Sequence, residues 1–227
     1  MEKILVFAAH PDDELLGIGG TVRKLANEGK EVRAIILAEG ITSRSEKRSD
    51  ADASELAELK KDAEKAAKII GYKSIEFCGF PDNRMDSIDL LDIIKVISKY
   101  VEKYKPDTIF THHHGDLNID HRLTHEAVLT ACRPTGDYCV KRIYTFEIPS
   151  STEWNYSYAE PFTPNVYYDV TDTINSKIEG MACYRSESTK YPHPRSSEAL
   201  LSLGRYRGSN VNYDMAEAFM LIRECNS

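Results

Sequence analysis

The chain has 227 residues, 41% hydrophobic and 29% charged, with a formal net charge of −7. That length can bury one sizeable core, and the acidic balance argues against a basic nucleic-acid-binding face. No apolar run approaches the roughly 20 residues that span a bilayer, so no membrane span is expected.

The opening "MEKILVFAAH" has too short an apolar stretch for a secretory leader and reads as the first strand of a cytoplasmic protein. Within it, "KILVFAA" is a continuous apolar run, the pattern of a parallel strand covered on both faces. "ELLGIGGTVRKLANEG" has helical spacing and ends at Gly29, a C-cap signal. "EVRAIIL" follows as a strand. "SELAELKKDAEKAAKIIG" is a helix with solvated charges on one face and a terminal glycine. "SIEFCGF" and "DTIFTHH" are further strands, separated by the amphipathic "IDLLDIIKVISKYVEKY". "HRLTHEAVLTAC" reads as a helix and "KRIYTFEI" as a strand. Beyond them "NVYYDV" is a strand, "TDTINSKIEGMACYRSE" and "SSEALLSLGRYRG" are helices, and "AEAFMLIRE" fits a terminal strand or helix. The alternation predicts an α/β fold: a Rossmann-like, doubly wound, mostly parallel sheet in a single three-layer domain over residues 1–227. The five cysteines, Cys78, Cys132, Cys139, Cys183 and Cys225, contain no Cys-x-x-Cys pair and are expected as reduced thiols.

Ligands of such sheets bind outside the carboxyl ends of the strands. There the first strand runs into "AAHPDDELLGIGG", with His10, Asp12, Asp13 and Glu14, and the later strand "DTIF" runs into "THHHGDLNIDHRLTH". A helix N-cap explains one aspartate but not an adjacent pair behind a histidine. A nucleotide is disfavoured, because the glycines follow the acids and the G-x-G-x-x-G spacing is absent. A metal ion fits best, held by a histidine and a carboxylate from the first cluster and a histidine from the second. Glu14 reads as a first-turn helix acid, and Gly17, Gly19 and Gly20 as close helix–sheet packing. His112, His113 and His114 end a strand, so alternation turns them to different sides. His125, one turn after His121, is expected beside the metal shell or at the surface rather than as a ligand. Asp116 or Asp120 is expected to hold His121 in its ligating tautomer, with a loop turn or helix cap as the alternative.

"AHPDDE" with the downstream "DH" resembles the LmbE/PIG-L superfamily of zinc-dependent N-deacetylases. The resemblance extends through "GIGGTVRKLANEGKEV", "GDLNIDHRLTHEAV" and the tail "PHPRSSEALLSLGRYRGS…AEAF". It implies Zn2+, with Fe2+ or Co2+ as substitutes, on His10, Asp13 and His121, and Asp12 as the general base. It implies removal of an N-acetyl group from an amino sugar or sugar conjugate, a small-molecule partner, and often a homo-oligomer. The alternatives are a metal-holding binding module without turnover, or a hydrolase of another amide or ester.

Many members carry a histidine three residues before the third ligand; here that position is Asn118, expected as a substrate-binding residue whose amide can donate a hydrogen bond but cannot supply an imidazolium. Another group is therefore expected to share its oxyanion-stabilising role. His193 in "YPHPRS" is the candidate, a structural loop histidine the alternative. The resemblance also points to Arg84 in "PDNRMD" as substrate-binding. Arg44, Lys47 and Arg48 form either a solvated loop or a clamp for a substrate phosphate. Trp154, with Tyr156 and Tyr158, forms either a stacking wall for a sugar or packed loop hydrophobes.

Overall fold

Along the first strand, Ile4, Val6 and Ala8 belong to one apolar cluster, Leu5 and Phe7 to a second, and all five are buried. A strand buried on both faces must lie inside a sheet that is covered twice. The computed structural model describes residues 1–44, 52–135, 138–187 and 189–226, and there β1 (Lys3–Ala8) lies inside a seven-stranded sheet.

β1 pairs in parallel with β2 (Glu31–Ala38) on one side and β4 (Thr108–His112) on the other. Ile4, Leu5 and Val6 pair on both sides, Val6 for example opposite Ala34 and Phe110. β3 (Ser74–Phe80) adds to β2, and β5 (Arg142–Phe146) adds to β4, both in parallel. The chain thus winds outward from β1 in one direction and resumes on its other flank. The crevice between the carboxyl ends of β1 and β4 is the topological switch point, where such sheets bind ligands.

Helices cover both faces. Ile4, Val6 and Ala8 share their cluster with Val22 and Leu25 of α2 (Gly19–Asn27), Ala63 and Ala66 of α3 (Ala53–Ile70), and Met181 of α6 (Ile174–Met181). Leu5 and Phe7 share theirs with Ile93 and Ile97 of α4 (Leu90–Tyr104) and Ala127 and Val128 of α5 (Ile119–Ala131). α3 begins where the Asp52 side chain accepts from the Ser54 N–H and ends at Gly71, whose φ of 91° suits a residue without a Cβ. The three-layer, mostly parallel expectation is met.

One expectation changed, and one open alternative was settled. "ELLGIGGTVRKLANEG" is two helices, α1 (Asp13–Leu16) and α2, broken at Gly17 and Ile18. A Cβ on Gly17 would lie 2.4 Å from the Phe146 ring, so close packing on β5 is one cause. The other is polar. Glu217 accepts the Gly20 and Thr21 N–H groups at the start of α2 (3.0 and 2.7 Å), while Lys177 donates to the Leu16 carbonyl and to Glu217 (2.8 and 2.7 Å). This buried ion pair satisfies the helix ends that the break exposes. "AEAFMLIRE" is a strand, β7 (Ala216–Glu224), antiparallel to β5 and to the edge strand β6 (Val166–Asp169). α7 (Ser197–Ser209) precedes it. All five cysteines are free thiols.

Candidate metal centre

The turn out of β1 places the first cluster. Asp12 takes a left-handed backbone (φ 106°) ahead of α1, and its side chain makes no capping bond. Its N–H donates instead to Glu14 Oε2 (3.0 Å), and Glu14 Oε1 accepts from the Tyr184 hydroxyl (2.6 Å). Glu14 is wholly buried, and burial pushes its carboxyl up to about 7 against the stabilising bonds from Tyr184 and the Asp12 N–H. It begins the helix as expected, and it also holds the turn.

That turn aims Asp13 back across the end of β1, where α5 delivers His121. Three donor atoms converge. His10 Nδ1 lies 3.3 Å from Asp13 Oδ2 and 3.3 Å from His121 Nε2, and His121 Nε2 lies 3.2 Å from Asp13 Oδ2. Nitrogen and oxygen ligands about 2.0–2.1 Å from a tetrahedral ion stand roughly 3.3 Å apart. The triangle fits three corners of such a shell. Asp13 Oδ1, buried without a hydrogen-bond partner, adds ligating capacity.

Carboxylates back each imidazole from behind. His10 Nε2 lies 3.0 Å from Asp120 Oδ2 and 3.4 Å from Asp82 Oδ1. His121 Nδ1 lies 3.1 Å from Asp116 Oδ1. Asp116 is held in turn by the Ser151 and Thr152 hydroxyls, and Asp120 Oδ1 accepts the Met85 N–H (3.0 Å). A carboxylate behind each ring fixes which nitrogen faces the centre. His112 is different: its Nε2 accepts the Ala9 N–H (2.8 Å), and burial keeps the ring neutral with a lowered pKa.

The electrostatics call for positive charge. Burial opposes protonation of His10, yet hydrogen bonds to Asp120 and Asp13 prevail and raise it to about 10. His121 rises to about 9, where the Asp13 and Asp116 charges overcome burial. Burial raises Asp13, but the neighbouring His121 charge and the hydrogen bonds from His10 and His121 hold its carboxyl well below the usual range. A cage that stabilises two imidazolium protons equally suits a divalent cation in their place.

Residues 5–132 match the model of the PIG-L family, described as GlcNAc-PI de-N-acetylase. The chain belongs to this PIG-L family. The diacetylchitobiose deacetylase of Thermococcus kodakarensis is 24% identical over 98% of this chain and 84% of its own length. Among solved structures, the conserved protein TT1542 of Thermus thermophilus superposes with a TM-score of 0.79 at 22% identity, covering 100% of this chain and 97% of that one. GalB of Pseudomonas putida, a 4-carboxy-2-hydroxymuconate hydratase, superposes at 0.77 with 21% identity, covering 100% and 98%. One fold therefore carries differently named reactions, and function must be argued from the site.

In this PIG-L chain the centre opens into a cavity of about 220 Å³ lined by His10, Asp12 and His121, and by residues of three following loops. Gly40, Ile41 and Ser43 come from the loop after β2, Asp82 and Asn83 from the one after β3, and Ser150 and Ser151 from the one after β5. The loops after β2 and β5 thus reach the carboxyl edge of the sheet beside the centre. Asn118 also lines the cavity, but its amide is committed: Oδ1 caps α5 through the Asp120 N–H (2.8 Å) and Nδ2 donates to Asn83 (2.7 Å).

Other expected residues lie elsewhere. Arg84 starts a 3-10 turn at Met85–Ser87, and Asn83, its neighbour, lines the cavity instead. Trp154 is half-buried edge-to-face on His193, ring centroids 6.4 Å apart, and neither lines the cavity. Tyr156 and Tyr158 are exposed. His125 bonds the His112 carbonyl (2.8 Å) and stands outside the donor triangle; burial lowers its pKa to about 4. Asp120 backs His10 rather than His121. Arg44 ends a 3-10 turn, Thr42–Arg44; its side chain, Lys47 and Arg48 lie outside the described residues. Sequence reasoning missed Arg195, which lines the cavity two residues beyond His193 and bonds Asp12 Oδ2 at 2.7 Å.

Proposed function

We propose that the chain is a metal-dependent N-deacetylase of a small N-acetylated amino sugar. The observation that carries the reading is the convergence of His10 Nδ1, Asp13 Oδ2 and His121 Nε2 with spacings of 3.2–3.3 Å, at the mouth of a cavity that Asp12 also lines. A divalent cation such as zinc, held by these three, supplies Lewis acidity, lowering the pKa of a water and polarising an amide carbonyl.

The protein's own side chains do the rest. Asp12 is buried and forced well above the usual carboxylate range by desolvation, against the pull of Arg195. A carboxylate of raised pKa is suited to accept a proton from water and return it to the departing amine. The volume, small for a ligand site, suits a single ring, and the Ser43 and Ser150 hydroxyls offer partners for its hydroxyls. Among the described residues, Asp12, Asp82 and Glu187 line the cavity beside Arg195, a balance that favours a neutral sugar over a phosphate.

The test is metal analysis of the purified protein, with amine release followed across neutral and phosphorylated N-acetylated amino sugars. About one metal ion per chain and turnover of neutral substrates are expected. Asp12→Asn should keep the metal and lose about 10²- to 10⁴-fold in kcat. Full metal occupancy with no amine released from any substrate would overturn the reading.

A further inference from the structure

The family match ends at residue 132, yet Asp12 is gripped from far beyond it. Arg195 Nη1 donates to Asp12 Oδ2 at 2.7 Å and lies 3.4 Å from Glu187 Oε2, while Nε donates to Ser150 Oγ at 2.8 Å. A guanidinium is a planar fork, so partners at two nitrogens fix its plane as well as its position. Both ends of the grip are anchored. The Ser150 N–H donates to Glu153 (2.6 Å), the Arg195 N–H donates to His193 Nδ1 (3.2 Å), and Ser196 caps α7 through the Ala199 N–H. Asp12 and Ser150 also share a left-handed backbone (φ 106° and 74°), a conformation that persists where surroundings over-determine it.

We propose that Arg195 is a positioning residue for Asp12: by holding Oδ2 it leaves Oδ1 as the oxygen presented to the reacting proton. The inference rests on the deacetylase reading and adds to it a second half of the site, built from Ser150, Glu187 and Arg195. His193 contributes by orienting the Arg195 backbone.

Four forms carry the test on a neutral N-acetylated amino sugar: wild type, Arg195→Ala, Asp12→Asn and the double variant. Arg195→Ala should lose about 10- to 100-fold in kcat, with KM changed less than about threefold and metal content unchanged. Low-millimolar guanidinium should restore part of the activity of Arg195→Ala and none of that of Asp12→Asn. Because Arg195 acts through Asp12, the double variant should be no slower than Asp12→Asn. Losses that multiply, a rise in KM at constant kcat, or wild-type rates from Arg195→Ala each overturn the proposal and leave the deacetylase reading standing. If circular dichroism shows Arg195→Ala unfolded, Arg195→Lys and Arg195→Gln carry the same comparison with Asp12→Asn. A wild-type chain that binds metal and releases no amine fails the deacetylase reading, and the role of Arg195 falls with it.

Discussion

His10 uses both ring nitrogens, Nδ1 in the donor triangle and Nε2 against Asp120, and His121 is placed likewise between Asp13 and Asp116. Replacing His121 by Ala should drop bound metal well below one per chain by elemental analysis. Asp116→Asn and Asp120→Asn keep the shape but weaken the grip on each ring. Each should lower metal affinity about 10- to 100-fold in competition with a chelator. The three candidate ligands were legible because a histidine and paired acids sit at a strand end and a second histidine follows another strand. Which of Asp116 and Asp120 backs which ring was not. Both lie near His121 in sequence, and only the reach of α5 across the crevice sends Asp120 to His10. Arg195 went unread because "PHPRS" offers a histidine beside it, and spacing does not reveal which of two neighbouring side chains turns inward.

The break between α1 and α2 shows how neighbouring elements shape one another. Glycine at 17 and helical spacing on both sides were visible, but the Phe146 ring that needs the space belongs to β5. Gly17→Ala should cost about 1–3 kcal/mol in urea unfolding through overpacking, and Phe146→Leu should recover part of that loss. Lys177→Met leaves Glu217 buried and unpaired as a charge, which should cost about 3–5 kcal/mol in the same assay. β7 was ambiguous because its outer end is partly exposed and its inner end buried, which blurs strand alternation. Its pairing between β5 and β6 decides the matter.

Across the molecule, metal and protons compete for one cage. Without metal, His10 and His121 have folded pKa values raised to about 10 and about 9, above an unfolded value of about 6.5. Their contribution to stability is then complete below pH ~6.5 and lost as pH rises through 9 to 10. Metal binding must displace these protons, so apparent affinity should rise with pH between 6 and 8, by up to about tenfold per unit for each proton displaced. Titration calorimetry in buffers of different ionisation enthalpy checks the proton release. Chelation should lower Tm by an amount that tracks the metal affinity. Asp107 behaves in the opposite sense. Burial raises its carboxyl, but bonds from Thr108 and the Glu2 and Lys3 N–H groups outweigh this and lower it. Its stabilisation of the start of β1 is present above the unfolded value of about 3.9 and fades as pH falls below it. Asp107→Asn should flatten the acid limb of the stability curve.

Local pattern alone carried the alternating strands and helices, the glycine helix ends, and the two chemistry-bearing strand ends, because apolar periodicity and turn residues act over a few positions. It also carried the resemblance that named the candidate ligands. Long-range packing made the remaining assignments: the helix break at Gly17, the division of carboxylates between two imidazoles, and the grip of Arg195 on Asp12. Those depend on which surfaces meet across the sheet, and side chains far apart along the chain become neighbours only when burial of both sheet faces brings their loops to one crevice.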